Sequence, residues 1–146
     1  MNKVEIETKI KKLQKERRDL NNKIGNINKE IIDLEGAIRE LVKAKGKITN
    51  DLENVISTVI NRIDKNEKQY KFKNEYKKNV KSIIWGSGSK EALQDFEDGI
   101  KKAKNEINSL NTQKKQANTR IYNIDCEINY LKRTLNAIVE EENKNE

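Results

Sequence analysis

Residues 6–59 read IETKIKKLQKERRDLNNKIGNINKEIIDLEGAIRELVKAKGKITNDLENVISTV, and the spacing of their apolar side chains decides the fold. The seam runs Ile6, Ile10, Leu13, Arg17, Leu20, Ile24, Ile27, Ile31, Leu34, Ile38, Leu41, Lys45, Ile48, Leu52, Val55 and Val59, with only Arg17 and Lys45 polar. A second seam runs Leu93, Phe96, Ile100, Ala103, Ile107, Leu110, Lys114, Ala117, Ile121, Ile124, Ile128, Leu131, Leu135 and Ile138, with Lys114 its single polar member. Alternating steps of three and four keep a stripe on one face only if the helix supercoils around another helix. Both seams outlast the three or four heptads that identify a coiled coil. The expected fold is all-α: an elongated antiparallel helical hairpin.

Composition agrees with that expectation. Of the 146 residues, 34% are hydrophobic and 38% charged, too polar for a thick core but suited to helices with a narrow dry seam. Proline is absent, so nothing forbids very long helices. No stretch approaches the roughly 18 apolar residues of a membrane span, and MNKVEIETKIKK carries no apolar signal core. The expected setting is the cytoplasm. Histidine is absent, which excludes imidazole bases and His-ligated metals. The lone Cys126 beside Ile124 reads as a semi-buried helix residue in a reducing compartment.

The strongest break is Trp85-Gly86-Ser87-Gly88-Ser89, where two glycines permit positive φ and a sharp reversal. Ser87 or Ser89 can then cap a following helix. This gives one extended module: a first arm over about 3–84, a turn at 85–89 and a second arm over about 89–141. The acidic tail at 142–146 is expected to fray, because negative charge is unfavourable at a helix C-terminus. Lys43-Ala44-Lys45-Gly46 resembles a basic helix end with a glycine cap, and Asn50 with Glu53 a capping box. A hinge at 46–50 is therefore the alternative to an unbroken arm. The polar run from Asp64 to Asn74 is the second candidate interruption.

With the reversal at residues 85–89, the returning helix covers the first arm from about Ile31 onward. The segment from about Lys3 to Lys29 then has no partner. Its seam of Ile6, Ile10, Leu13, Leu20, Ile24 and Ile27 is the expected interface for another chain, since a bare apolar stripe normally marks one. On that reading, Ile10→Asp with Ile24→Asp abolishes partner binding and leaves the hairpin helical. Trp85 either plugs the hairpin tip against Phe96 and Ile100 or serves as a docking anchor. Arg17, Lys45 and Lys114 set register within the seams.

Lys65 to Lys81 holds seven lysines against Glu67 and Glu75, a local net charge of +5 with Tyr70, Phe72 and Tyr76 interleaved. Such a run contacts nucleic acid through phosphates and stacking, or is a plain solvated face. Gly86-Ser87-Gly88-Ser89-Lys90 is too short for a phosphate-cradling loop and follows no strand. Carboxylates are scattered, so no catalytic, cofactor or metal site is expected and the chain does not read as an enzyme.

Trp85-Gly86-Ser87-Gly88 followed by Ala92 and Phe96 resembles the WXG-like helical hairpins of Gram-positive type VII secretion. The closer likeness is to YwqH-like accessory proteins encoded beside LXG toxins. Those are similar in length, open with a coiled-coil helix and carry a W-x-G-x-x-A-x-x-F type segment before a long second helix. The specific part of the likeness is confined to Trp85–Phe96, with glycines one and three residues after Trp85. Tyr122-Asn123-Ile124-Asp125 is one residue short of an aromatic-xxx-Asp export signal, so any required signal would come from a partner. The resemblance implies a targeting chaperone that binds the helical N-terminal domain of an LXG-type toxin, alone or with a second small helical protein, and is co-secreted or stays behind. The competing expectations are a self-associating coiled-coil structural protein and, behind it, a nucleic-acid-binding helix pair using Lys65–Lys81.

Overall fold

The computed structural model describes residues 1–65 and 73–145, and among these every regular element is an α-helix. α1 spans Lys3–Lys65 (63 residues), α2 Lys73–Ile84 (12 residues) and α3 Ser87–Lys144 (58 residues). The fold is an all-α antiparallel helical hairpin. α1 opens on a reciprocal cap: the Glu5 amide donates to Asn2 Oδ1 and the Asn2 amide to Glu5 Oε2, both at 2.9 Å. Two helix-end donors are thereby satisfied. α1 then passes through Gly46 and Asn50 without interruption, Thr49 Oγ1 donating back to the Lys45 carbonyl at 2.9 Å. The tail expected to fray over 142–146 is helical through Lys144, whose positive charge in the last turn suits the negative helix end.

The reversal is not at the glycines. The Asp64 carboxylate of α1 pairs with Lys77 of α2, and a hollow is shared by Glu53, Ile56, Ser57 and Ile60 of α1 with Lys81 and Trp85. Partners on α1 fall in number as those on α2 rise, so α2 already runs antiparallel to α1. By Lys73 the chain has therefore already changed direction. Trp85-Gly86 instead joins two helices that both run back along α1. The Trp85 amide keeps a helical bond to the Lys81 carbonyl at 2.9 Å, and the Gly86 amide a tighter one to Ile83 at 3.2 Å. No glycine adopts positive φ among the described residues. Gly86 is favoured for a different reason: a Cβ there would crowd the Ile83 carbonyl oxygen at 3.1 Å. Ser89 Oγ donates to the Ile84 carbonyl at 2.8 Å, so it closes the end of α2 rather than capping α3.

Contacts divide the chain into two compact units, Met1–Ile32 with Ile107–Glu146, and Asp33–Glu106. In the first, Ile6, Ile10 and Leu13 of α1 form one buried cluster with Ile124, Ile128 and Leu131 of α3, flanked by Leu20, Leu135 and Ile138. Ile27, Leu110 and Ala117 are buried further along the seams. In the second unit Ile56 is buried, and Leu41 Cδ1 lies 3.6 Å from where a Cβ on Gly99 would sit. Here the seam shifts by one position: Val55 is 51% exposed and Ile56 takes its place.

Candidate interaction surfaces

Charged side chains mark the register of the first unit. Lys9 Nζ lies 2.7 Å from Glu127 Oε1, and Arg120 donates through Nε and a terminal nitrogen to the two oxygens of Glu16 at 2.8 and 3.0 Å. Seven residues up α1 match seven residues down α3, the signature of an antiparallel pair. In heptad terms all four side chains occupy the position just before the seam residues Ile10, Arg17, Ile121 and Ile128, where flanking charges choose partner and orientation. The Arg120 guanidinium holds the Glu16 carboxyl below its ordinary range, through the hydrogen bond above all and against the pull of desolvation. Arg17, polar within the seam, reaches out to Asp125, with Nε to Oδ1 at 2.7 Å and a longer 3.4 Å bond to Oδ2. Lys45 does the same toward Glu97 in the second unit.

This register corrects the expected partner interface. Ile6 is 0% exposed, Ile10, Leu13 and Ile27 are buried, and Leu20 and Ile24 are half-buried. The seam is not bare, because the protein's own α3 covers its N-terminal part. Both arms are measured from the reversal, so moving it from residues 85–89 to before Lys73 shifts the register by twice that displacement. That displacement accounts for the whole of the Lys3–Lys29 overhang expected from a reversal at the glycines. Ile10→Asp with Ile24→Asp would consequently place charge in the protein's own core and seam, and is no clean test of binding.

The turn motif is likewise redistributed. Trp85 and Phe96 are half-buried, Gly88 and Ala92 exposed, and Trp85 faces Ile56 and Ile60 of α1 rather than closing a hairpin tip. Of the basic run Lys65–Lys81, residues 66–72, with Tyr70 and Phe72, lie outside the described residues. Lys78 and Lys81 are exposed, Lys77 is committed to Asp64, and Tyr76 is 45% exposed. Cys126 is exposed rather than semi-buried, since it sits diametrically off the Ile124–Ile128 seam.

Two surfaces that the seam pattern did not reveal stand out. One is an open groove on the flank of the first unit, lined by Val4, Thr8, Lys12 and Leu13 of α1 and by Arg120 and Glu127 of α3. Leu13 supplies an apolar floor, and Val4 at its rim is 69% exposed. The other is the outward face of α3, with Tyr122 and Tyr130 at 69% and 67% exposure. Among the described residues there is no cluster of three metal-ligating side chains, and no helix is long and apolar enough to cross a membrane. Comparison with known proteins adds no relative: no family model, curated protein or solved structure matches this chain.

Proposed function

We propose that this chain is a helix-binding accessory module, which receives the helical N-terminal domain of an LXG-type toxin and presents it for type VII secretion. The observation that supports binding is the groove of the first unit. Only two helices form that unit, and on one flank Leu13 lies at the bottom of a channel rimmed by the Lys9–Glu127 and Glu16–Arg120 pairs. A third amphipathic helix laid there buries apolar surface at about 25 cal/mol per Å², while the rim charges select its orientation. The toxin-family part of the proposal rests on the Trp85–Phe96 string. The partner site is thus moved from the Ile6–Ile27 seam, which is occupied, to the flank beside it.

The test is affinity capture of the tagged full-length chain from its native cells at moderate salt, with and without Val4→Asp plus Thr8→Asp. Both positions are exposed near the start of α1, where added negative charge is compatible with the helix. The expected result is stoichiometric, salt-resistant recovery of a larger protein with a helical N-terminal domain, lost in the variant while circular dichroism is unchanged. Recovery of the chain alone contradicts the proposal.

A further inference from the structure

The two flanks of the first unit differ in charge. Residues that directly precede a seam residue share the side of the Lys9–Glu127 and Glu16–Arg120 pairs, which is mixed in sign. Residues that directly follow one share the opposite side, marked by a row of hollows. One takes in Arg17 and Arg18 of α1 with Asn129 and Lys132 of α3, and Lys132 joins it to a second that Lys11 lines. A third, further along α3, takes in Lys114, Lys115, Asn118 and Tyr122. The carboxylates on this flank are Glu7 and Asp125, and Asp125 is already held by Arg17. Lys11, Arg18, Lys115 and Lys132 are exposed, and among the described residues none has an acidic partner. Amides recur between them, at Gln14, Asn21 and Asn28 on α1 and at Asn111, Asn118 and Asn129 on α3.

We infer that this flank binds a single strand of nucleic acid, laid along the channel between α1 and α3. Unpaired cations call for an anionic ligand, and the remaining side chains decide which kind. An acidic amphipathic helix needs an apolar row to bury. From Lys11 to Asn28 the positions directly following the α1 seam hold no apolar side chain, and from Asn108 to Lys132 those following the α3 seam hold only Tyr122. Ile10 and Ile128 beneath them are already buried by the contact between the two helices. Lysine, arginine, amides and an exposed aromatic are instead the set that contacts phosphate, sugar and base. Lys11, Arg18, Lys114, Lys115 and Lys132 take the phosphates, and Tyr122, 69% exposed, is the platform on which a base stacks. Lys115 to Lys132 alone gives a track of about 25 Å, long enough for several phosphates. The strip shares no residue with Lys65–Lys81 or with the groove beside Leu13, so it is tested apart from the helical partner.

The experiment is fluorescence anisotropy of a labelled, mixed-sequence DNA single strand of about 20 nucleotides, titrated with the full-length chain across a series of salt concentrations. Five phosphate contacts predict a slope of about −3.5 in log affinity against log salt, a loss on the order of 100-fold between about 50 and about 200 mM. Arg18→Gln with Lys132→Gln should lower the slope to about −2, two contacts fewer. Tyr122→Ala should weaken binding by on the order of 10-fold and leave the slope unchanged. Lys12→Gln with Lys23→Gln removes the same charge from the other flank and should leave the slope as it was. Absence of binding overturns the inference. So does an equal loss in the two double variants, which would mark mere attraction to a basic chain. Displacement of the strand by poly-glutamate at equal charge also overturns it, since the flank would then serve an acidic protein.

Discussion

Truncating Ile124 to alanine is the sharpest probe of how the first unit is held together. The side chain is 0% exposed and sits among Ile6, Ile10, Leu13, Ile128 and Leu131. Three carbon groups are lost, worth about 2.4 kcal/mol at ~0.8 kcal/mol each, and a cavity adds to that. Only two helices wall the site, so it can partly collapse, and the total should settle near 3 kcal/mol rather than at the ~5 kcal/mol extreme of such substitutions. In urea titrations followed by circular dichroism, with a slope of roughly 2 kcal/mol per M, the midpoint should fall by about 1.5 M. Val4→Ala is the internal control: its side chain is 69% exposed, and the change should stay within about 0.5 kcal/mol. Equal midpoints for the two variants would refute the reasoning, because Ile124 would then not be packed against the N-terminal segment of α1.

Other consequences follow from the same packing. A Cβ at Gly25 or Gly46 meets nothing within 4 Å, so Gly25→Ala and Gly46→Ala should each stabilise the chain by about 1 kcal/mol in the same titration. Asn2→Ala removes the acceptor that holds the Glu5 amide, and should cost about 1 kcal/mol, seen as faster hydrogen exchange of the first-turn amides. The Glu16 carboxyl is held below its unfolded value, so its contribution is present at neutral pH and is lost as pH falls through the lowered folded value. Glu16→Gln should therefore unfold more easily than the parent at pH 7, with the difference vanishing once pH drops below the usual carboxylate range.

The helical character and both seams are legible because burial along a helix–helix contact leaves an apolar period of 3.5. Direction is not. Gly86 and Gly88 look like a reversal, yet the local rule concerns only the permitted φ, and here neither residue uses it. A break that merely staggers two helices has the same local sequence as a turn. A reversal at the glycines displaces the register and leaves bare a seam that α3 in fact covers. The cap at Asn2 is carried by Asn followed three residues later by Glu, a pattern the apolar seams do not reveal. The pairs Lys9–Glu127 and Glu16–Arg120 occupy the positions flanking the seams, but become partners only when the register is known. The one-position shift from Val55 to Ile56 was hidden because both residues are β-branched and apolar.

The central claim is that α3 of the same chain closes the N-terminal seam, leaving only outer faces for partners. The most direct measurement is cross-linking of Lys9→Cys with Glu127→Cys by a short bismaleimide in a Cys126→Ser background, with bridged and unbridged products resolved by intact mass. The account predicts nearly complete intramolecular bridging at high dilution, since the two side chains already meet across the helices, Lys9 Nζ lying 2.7 Å from Glu127 Oε1. A chain that takes up the reagent without being bridged, or that is bridged only to other copies, would show that Lys9 and Glu127 are not neighbours within one molecule and would return the N-terminal seam to an external partner.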